Sequence, residues 1–220
     1  TMGIYEGQVI VEGLDTSTTP VREMARTVGI VFDNPEFQMS QVSAAEEVAL
    51  GLENLGVPNP EMPPRVSAAL TTVGLAGFEE RSPMGLSGGQ QQRLAIASVL
   101  AMQPKILFMD EPTSNLDPIG KEEVFELARK LNREEGLTVI VAEHESEVLA
   151  AYADRIVVLH EGKIVMIGTP TEVFSRGDEL AKIGIRVPQA TDLAIALSKS
   201  GAKDLPVTTG EAITWLEARA

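Results

Sequence analysis

The sequence LSGGQQQRLAIASVLAMQPKILFMDEPTSNLD, residues 86–117, decides the fold. In its first part, SGGQ at residues 87–90 lies directly before a run of small apolar residues, which predicts a helix over residues 91–101. The backbone N–H groups at such a helix start can bind an anion. A simpler interpretation is a capping box, because Ser and Gln three positions apart are a common pair at helix starts.

The second part of this stretch is a strand followed by two carboxylates. Residues 106–109 are a continuous apolar run without alternation, which predicts a parallel strand covered on both faces. Asp110 and Glu111 follow it, at the strand end where α/β sheets bind ligands. There Asp110 can hold Mg²⁺ through oxygen, and Glu111 can polarise a water for attack on a phosphate. The alternative for a lone acidic pair is a solvated strand end.

The third part, SNLD at residues 114–117, predicts a tight polar loop in which Asp117 caps a helix that begins with Pro118. Together the three parts resemble motifs of the ATP-binding subunits of ABC transporters. LSGGQ resembles the signature motif, ILFMDEP resembles Walker B with the catalytic Glu, and SNLD resembles the D-loop. The strings FDNPEFQ and EEVALGLENLGVP look most like the cobalt and energy-coupling-factor group of this family.

This resemblance implies an α/β fold: a P-loop NTPase-like ABC ATPase core with a mostly parallel sheet, a helical subdomain and a small C-terminal helical extension. The expected boundaries are residues 1–41 and 103–176 for the core, 42–102 for the helical and signature subdomain, and 177–220 for the extension.

The resemblance also implies an ATP hydrolase that works as a dimer, with two ATP molecules held between subunits. Asp110 of one subunit would anchor Mg²⁺ and Glu111 would act on the attacking water, while the signature of the other subunit would contact the γ-phosphate. The residues assigned to nucleotide binding are Ser87, Gly88, Gly89, Gln90 and Asp117. The implied partners are a second ATPase subunit, which can be identical or different, and an integral membrane transport subunit. The expected location is the cytoplasmic face of the cell membrane, as a peripheral protein.

Two further positions carry roles that the resemblance implies. His144, within EHE just past the next apolar strand, matches the switch His, which would hydrogen-bond the γ-phosphate. A lone His near carboxylates is otherwise a common surface residue. Asp33 stands where the Q-loop of the family usually has Gln. An Asp there can ligate Mg²⁺ more directly than Gln, or it can hold the site inactive.

The sequence contains no G-x-x-x-x-G-K-[ST] string, the P-loop pattern. In the family the P-loop precedes a segment that resembles residues 5–15, so we expect the sequence to begin inside the helix that follows the P-loop. On this basis the activity of the chain alone is in doubt.

Composition bounds the possible functions. A net charge of −14 argues against a nucleic-acid partner, because phosphate-backbone binding needs clustered Lys and Arg. No run of 18 apolar residues occurs, so a membrane role would act through a partner. The absence of Cys excludes a disulfide framework and thiolate metal sites.

The sequence leaves three functional hypotheses. The first is the energy-coupling ATPase of a membrane importer for a metal ion or a vitamin. The second is a non-catalytic ABC fragment or helper subunit that contributes only its signature motif to a partner's site. The third, a soluble ABC protein acting on ribosomes or DNA, would need a second cassette or a basic patch, and the sequence shows neither.

Overall fold

The chain divides into two compact units, Thr1–Ala142 and Glu143–Ala220. Within them, the computed structural model describes residues 7–198 and 205–219. The strands of the first unit are β1 (Ile10–Val11), β2 (Leu14–Asp15), β3 (Val28–Val31), β4 (Ile106–Asp110) and β5 (Thr138–Ala142). Its helices are α1 (Val21–Met24), α2 (Ala44–Leu55), α3 (Met62–Thr72), α4 (Gly88–Leu100) and α5 (Pro118–Glu135). The expectation about how the sequence begins concerns residues that lie mostly outside the described ranges.

The centre of the first unit is a parallel sheet in the order β3-β4-β5. Val31 pairs with Met109, and Asp110 pairs with Ala142, so all three strands end at the same edge. This arrangement confirms the prediction that the 106–109 run is a strand of a parallel sheet. A separate antiparallel pair joins β1 to β2.

The main hydrophobic core lies on one face of this sheet. Leu107 and Met109 are fully buried there, in a cluster that includes side chains of α2, α3, α4 and α5. On the opposite face, Ile30 and Ile140 flank Phe108 and are 47% and 46% exposed. The expectation that β4 is covered on both faces is therefore wrong for the described residues. The physical reason is that these helices bury only the side chains of one pleat face.

Helices α2, α3 and α4 pack together beside the sheet. The spacing of Ser43 and Glu46 in the sequence predicts a capping box at the start of α2. The structure confirms it, since the Ser43 hydroxyl accepts from the Glu46 N–H and the Glu46 carboxylate accepts from the Ser43 N–H. The Pro-rich sequence of residues 57–64 predicts a helix over roughly residues 65–75. Helix α3 begins earlier, at Met62, because proline is tolerated in a first helical turn. It ends at Thr72, two residues before Gly74, whose φ is +73°.

The sequence predicts two antiparallel strands over residues 155–160 and 163–168. The second unit confirms them as the hairpin of β6 (Ile156–His160) and β7 (Lys163–Gly168). The turn between them, Glu161-Gly162, has φ of +49° and +74°. The helices of this unit are α6 (Ser146–Tyr152), α7 (Pro170–Phe174), α8 (Gly177–Lys182), α9 (Gln189–Leu197) and α10 (Thr209–Glu217).

The sequence predicts two tail helices, around residues 192–198 and 211–218. Both are present, and they begin two to three residues earlier, at Gln189 and Thr209. The early start of α10 reflects a capping box in which the Thr208 hydroxyl accepts from the Glu211 N–H. Helix α9 packs against α10. Among the residues that the structure describes, no helix combines the length and apolarity needed to cross a bilayer.

Candidate nucleotide site

The N-terminus of α4 is built by the signature residues. Ser87 is the N-cap: its hydroxyl accepts from the Gln90 N–H at 3.4 Å, and the Gln90 side-chain oxygen accepts from the Ser87 N–H at 3.0 Å. The capping-box interpretation is thus confirmed, and the helix begins at Gly88, earlier than residue 91. The box satisfies the N–H groups of Ser87 and Gln90, and the helix dipole adds positive potential at this end. The arrangement suits an anion.

The N-terminus of α5 lies against the signature. Asp117 is its N-cap as predicted, and the Asp117 Oδ1 accepts from the Gly120 N–H at 2.7 Å. A Cβ added at Gly88 would lie 3.6 Å from the Leu116 side chain and 3.9 Å from the Asn115 carbonyl oxygen. These are ordinary van der Waals distances, so the start of α4 lies directly beside the 115–116 segment. The signature and the D-loop therefore form one packed corner of the molecule.

An open cavity of about 510 Å³ lies at this corner. Its walls bring together the five predicted nucleotide-binding residues and several others. They are Ser87, Gly88, Gly89, Gln90, Arg93, Asn115, Leu116, Asp117, Ile119, Gly120 and Glu123. We call this set the signature corner.

The two charged residues that join the helices of the signature corner, Arg93 and Glu123, were not predicted from the sequence. The Arg93 guanidinium pairs with the Glu123 carboxylate and so connects α4 to α5. Arg93 lies four residues after Gly89, on the same side of the helix, and an added Cβ at Gly89 would be 3.9 Å from the Arg93 Nη1. That i,i+4 spacing is the signal that could have identified Arg93.

The other predicted residues of the first unit lie at the carboxyl ends of β3 and β4. Asp110 is the last residue of β4 and is exposed, and Asp33 is exposed two residues past β3. Because the two strands are adjacent and parallel, both carboxylates lie at the same edge of the sheet. We call Asp33, Asp110 and Glu111 the carboxylate edge.

Glu111 has an unusual backbone conformation. Its φ is +40°, in the left-handed region that residues other than glycine rarely adopt. A hydrogen bond from the Glu111 N–H to the Ala142 carbonyl, at 2.9 Å, continues the pairing of β4 with β5 up to this residue. Strain of this kind is found where a functional side chain must be aimed away from the regular path of the chain.

The Asp33 loop contacts the D-loop. The Ser114 hydroxyl donates to the Asp33 carbonyl oxygen at 3.4 Å, and the Asp33 Oδ1 accepts from the Asn34 N–H at 2.9 Å. The side chain of Asn34 in turn caps the 3₁₀ turn Pro35–Phe37 by accepting from the Glu36 N–H. The Q-loop segment is therefore ordered by its own side chains.

The donor set of the carboxylate edge suits Mg²⁺. It consists of hard carboxylate oxygens, and within residues 7–198 and 205–219 neither Asp33 nor Asp110 forms an ion pair that would neutralise it.

His144 belongs to the second unit, of which it is the second residue. Its side chain is 67% exposed, and its Nδ1 lies 3.4 Å from the Glu143 carboxylate. The structure thus brings together the signature residues with Asp117 in one corner and Asp33, Asp110 and Glu111 at one sheet edge. It describes His144 only within its own unit.

Comparison with known proteins gives consistent findings. The family described as ABC transporter matches residues 2–114. The energy-coupling factor transporter ATP-binding protein EcfA1 of Lacticaseibacillus paracasei is 48% identical over 195 residues, covering 89% of the chain and 70% of that relative.

Two solved structures are similar over most of the chain. The structure of cbiO1 from Clostridium perfringens, described as part of the ABC transporter complex cbiONQ, has a TM-score of 0.71 at 32% identity and covers 81% of the chain and 72% of its own. A dimeric ATP-binding cassette, described in a post-hydrolysis state bound to ADP and Pi, has a TM-score of 0.65 at 31% identity, with coverage of 75% and 74%.

Proposed function

We propose that this chain, which belongs to the family of ABC transporter ATP-binding proteins and is an ATP hydrolase of that family, energises a membrane importer for a metal ion or a vitamin. Two similarities support the importer assignment. One relative is named for energy-coupling factor transport, and one structural neighbour is described as part of a cbiONQ complex. On this proposal the chain acts at the cytoplasmic face of the membrane, bound to an integral membrane subunit.

The proposed catalytic assembly is a dimer in which each ATP lies between two subunits. The signature corner of one subunit would contact the γ-phosphate through Ser87, Gly88, Gly89 and Gln90, with Asp117 holding the neighbouring helix start. The carboxylate edge of the other subunit would act on the same ATP. Support comes from the dimeric neighbour with ADP and Pi, and from the separation of the two sets into distinct structural features.

The residues of the carboxylate edge have distinct proposed roles. Asp110 and Asp33 would hold Mg²⁺, which when bound neutralises phosphate charge. Glu111 accepts the proton of the attacking water at a carboxylate oxygen, or orients that water. His144 donates a hydrogen bond to the γ-phosphate. Backbone N–H groups at the start of α4 stabilise charge on the transferred phosphoryl group.

The proposed division of the chain follows these roles. Residues 1–41 and 103–176 would form the ATPase core, residues 42–102 would contact the membrane subunit, and residues 177–220 would form an extension. Glu47 lies in the 42–102 range, and its buried carboxylate accepts from the Ser40 and Gln41 N–H groups. This contact connects the end of the Q-loop segment to α2.

The observation that carries the proposal is the cavity formed jointly by signature and D-loop residues. Its test is reconstitution of the full-length protein with its membrane subunit in proteoliposomes. Uptake of a radiolabelled transition-metal ion or vitamin should require ATP and Mg²⁺ and should stop with Glu111→Gln. ATP hydrolysis without ATP-dependent uptake of either class would contradict the importer assignment while leaving the ATPase intact.

A further inference from the structure

The carboxylate of Glu143 is buried although its neighbour His144 is exposed. Only 2% of the Glu143 side chain is accessible, against 67% for His144. The Glu143 Oε1 accepts from the backbone N–H of His144 at 2.9 Å and from that of Glu145 at 3.2 Å. Two successive N–H groups thus converge on one oxygen, which fixes the backbone of residues 143–145.

The same oxygen also faces the imidazole. It lies 3.4 Å from the His144 Nδ1, and the donor atoms of Glu143, His144 and Glu145 all lie within 4.8 Å of one another. The ring therefore turns its Nδ1 edge toward Glu143. Nε2 is on the opposite side of the imidazole, away from this carboxylate.

We propose that Glu143 is a positioning residue for His144: it fixes the 143–145 turn and the Nδ1 side of the ring, so that Nε2 is presented to the phosphate. This inference rests on the proposed function, in which His144 contacts the γ-phosphate. An exposed His side chain otherwise exchanges among rotamers, and each misplaced rotamer lowers the fraction of protein ready to react. The buried carboxylate restricts that exchange before ATP arrives.

Replacement of Glu143 should therefore affect turnover more than binding. In the full-length ATPase, Glu143→Ala removes the acceptor for both N–H groups, and we expect kcat to fall about tenfold with KM for ATP nearly unchanged. Glu143→Gln keeps a side-chain oxygen at the same distance from the backbone, so it should restore most of kcat. A fall in kcat of equal size for both variants would contradict fixation of the turn.

A double-mutant cycle with His144→Ala separates positioning from general stability. If Glu143 acts through His144, Glu143→Ala should lower kcat in the wild type but have no further effect once His144 is replaced. Additive losses would overturn the proposal. Glu147→Gln is the matched control, because its carboxylate also accepts a backbone N–H, that of Gln189 at 2.7 Å, and its kcat should equal that of wild type.

A second measurement does not depend on turnover. In ¹⁵N-histidine-labelled protein, the His144 ring signals should broaden or shift in Glu143→Ala and return to near wild-type positions in Glu143→Gln. Unchanged signals in the folded Ala variant would contradict the proposal. Failure of the proposed function gives a different pattern, in which the wild type does not hydrolyse ATP or His144→Ala retains full kcat.

Discussion

The signature corner and the carboxylate edge differ in how their polar groups are satisfied. In the corner, both helix starts are capped: Gln90 N–H donates to Ser87, and Gly120 N–H donates to Asp117. At the edge, Asp33 and Asp110 are exposed carboxylates without an ion pair in the described ranges, and Glu111 has a left-handed φ.

This difference indicates which binding groups the folded chain supplies by itself and which region needs a bound cation. On the proposed function, the corner would bind phosphate by backbone N–H groups and a helix dipole, which the folded chain supplies. On the proposed function, the edge would contribute carboxylate oxygens, and it would need Mg²⁺ to offset their charge next to a phosphate. We therefore expect substitutions in the corner to change both stability and activity, and substitutions at the edge to change activity and metal dependence with little effect on stability.

The largest expected effect is that of Glu111→Gln. It removes the proton acceptor but keeps the size of the side chain, so kcat should fall by about 10²- to 10⁴-fold while ATP still binds. Phosphate release and equilibrium binding of ATP measure the two quantities. Glu161→Gln is the matched control, because Glu161 is also a glutamate with a positive φ, of +49°, and its activity should be unchanged. Loss of ATP binding in Glu111→Gln would contradict the assigned role.

The next effect concerns the capping box of the signature corner. Ser87→Ala should lower the free energy of unfolding by about 0.5–2 kcal/mol and also reduce ATP hydrolysis at least tenfold. Ser43→Ala removes the same kind of cap from α2, with hydrogen bonds of 3.3 and 3.2 Å, and serves as the control. It should cost similar stability by denaturant unfolding without the loss of kcat. Equal losses of kcat in both variants would mean that Ser87 acts only through the helix.

A substitution at Asp33 tests whether the carboxylate edge sets the Mg²⁺ requirement of hydrolysis. Asp33→Asn keeps the shape but removes the charge, so a several-fold higher Mg²⁺ concentration should be needed for half-maximal hydrolysis. Mg²⁺ titration of the initial rate measures this shift, and Asp154→Asn, at an exposed position of the second unit, should leave the titration unchanged. A higher maximal rate in Asp33→Gln would instead favour the interpretation that Asp33 holds the site inactive.

The smallest expected effect concerns Glu172, whose carboxylate accepts hydrogen bonds from a residue three positions earlier. The N–H of Thr169, and then its hydroxyl, donate to Glu172 and lower the pKa of that carboxyl below its usual value. Its contribution to stability is present above the unfolded pKa and lost as pH falls through the folded pKa. Glu172→Gln should therefore lower Tm slightly near neutral pH, and the two Tm values should converge in acid. A difference that grows in acid would contradict this linkage.

Much of the signature corner was predictable from sequence because its contacts are local. The Ser87–Gln90 box and the Asp117 cap each join residues three positions apart, and helix-start chemistry fixes both. The family and the α/β fold were also predicted from the motifs and are confirmed. The role of each site residue stays a prediction.

Other features depend on contacts that are distant in sequence. The pairing of Arg93 with Glu123 joins two helices across 30 positions, and no local pattern specifies it. The left-handed φ of Glu111 occurs where the pairing of β4 with β5 ends, at the Glu111 N–H, and no local residue pattern indicates it. The half-exposed row of Ile30 and Ile140 was missed because an apolar run shows that side chains are hydrophobic but not which elements cover them.

The central claim is that the corner and the edge act on the same ATP from different subunits. The most direct test mixes two variants of the full-length protein, Glu111→Gln and Ser87→Ala, each with low hydrolysis alone, under conditions that exchange subunits. A mixed dimer contains one ATP site that carries both substitutions and one that carries neither, so hydrolysis should recover well above that of either variant. If the mixture hydrolyses ATP no faster than the average of the two separate variants, the two regions do not complete each other across subunits.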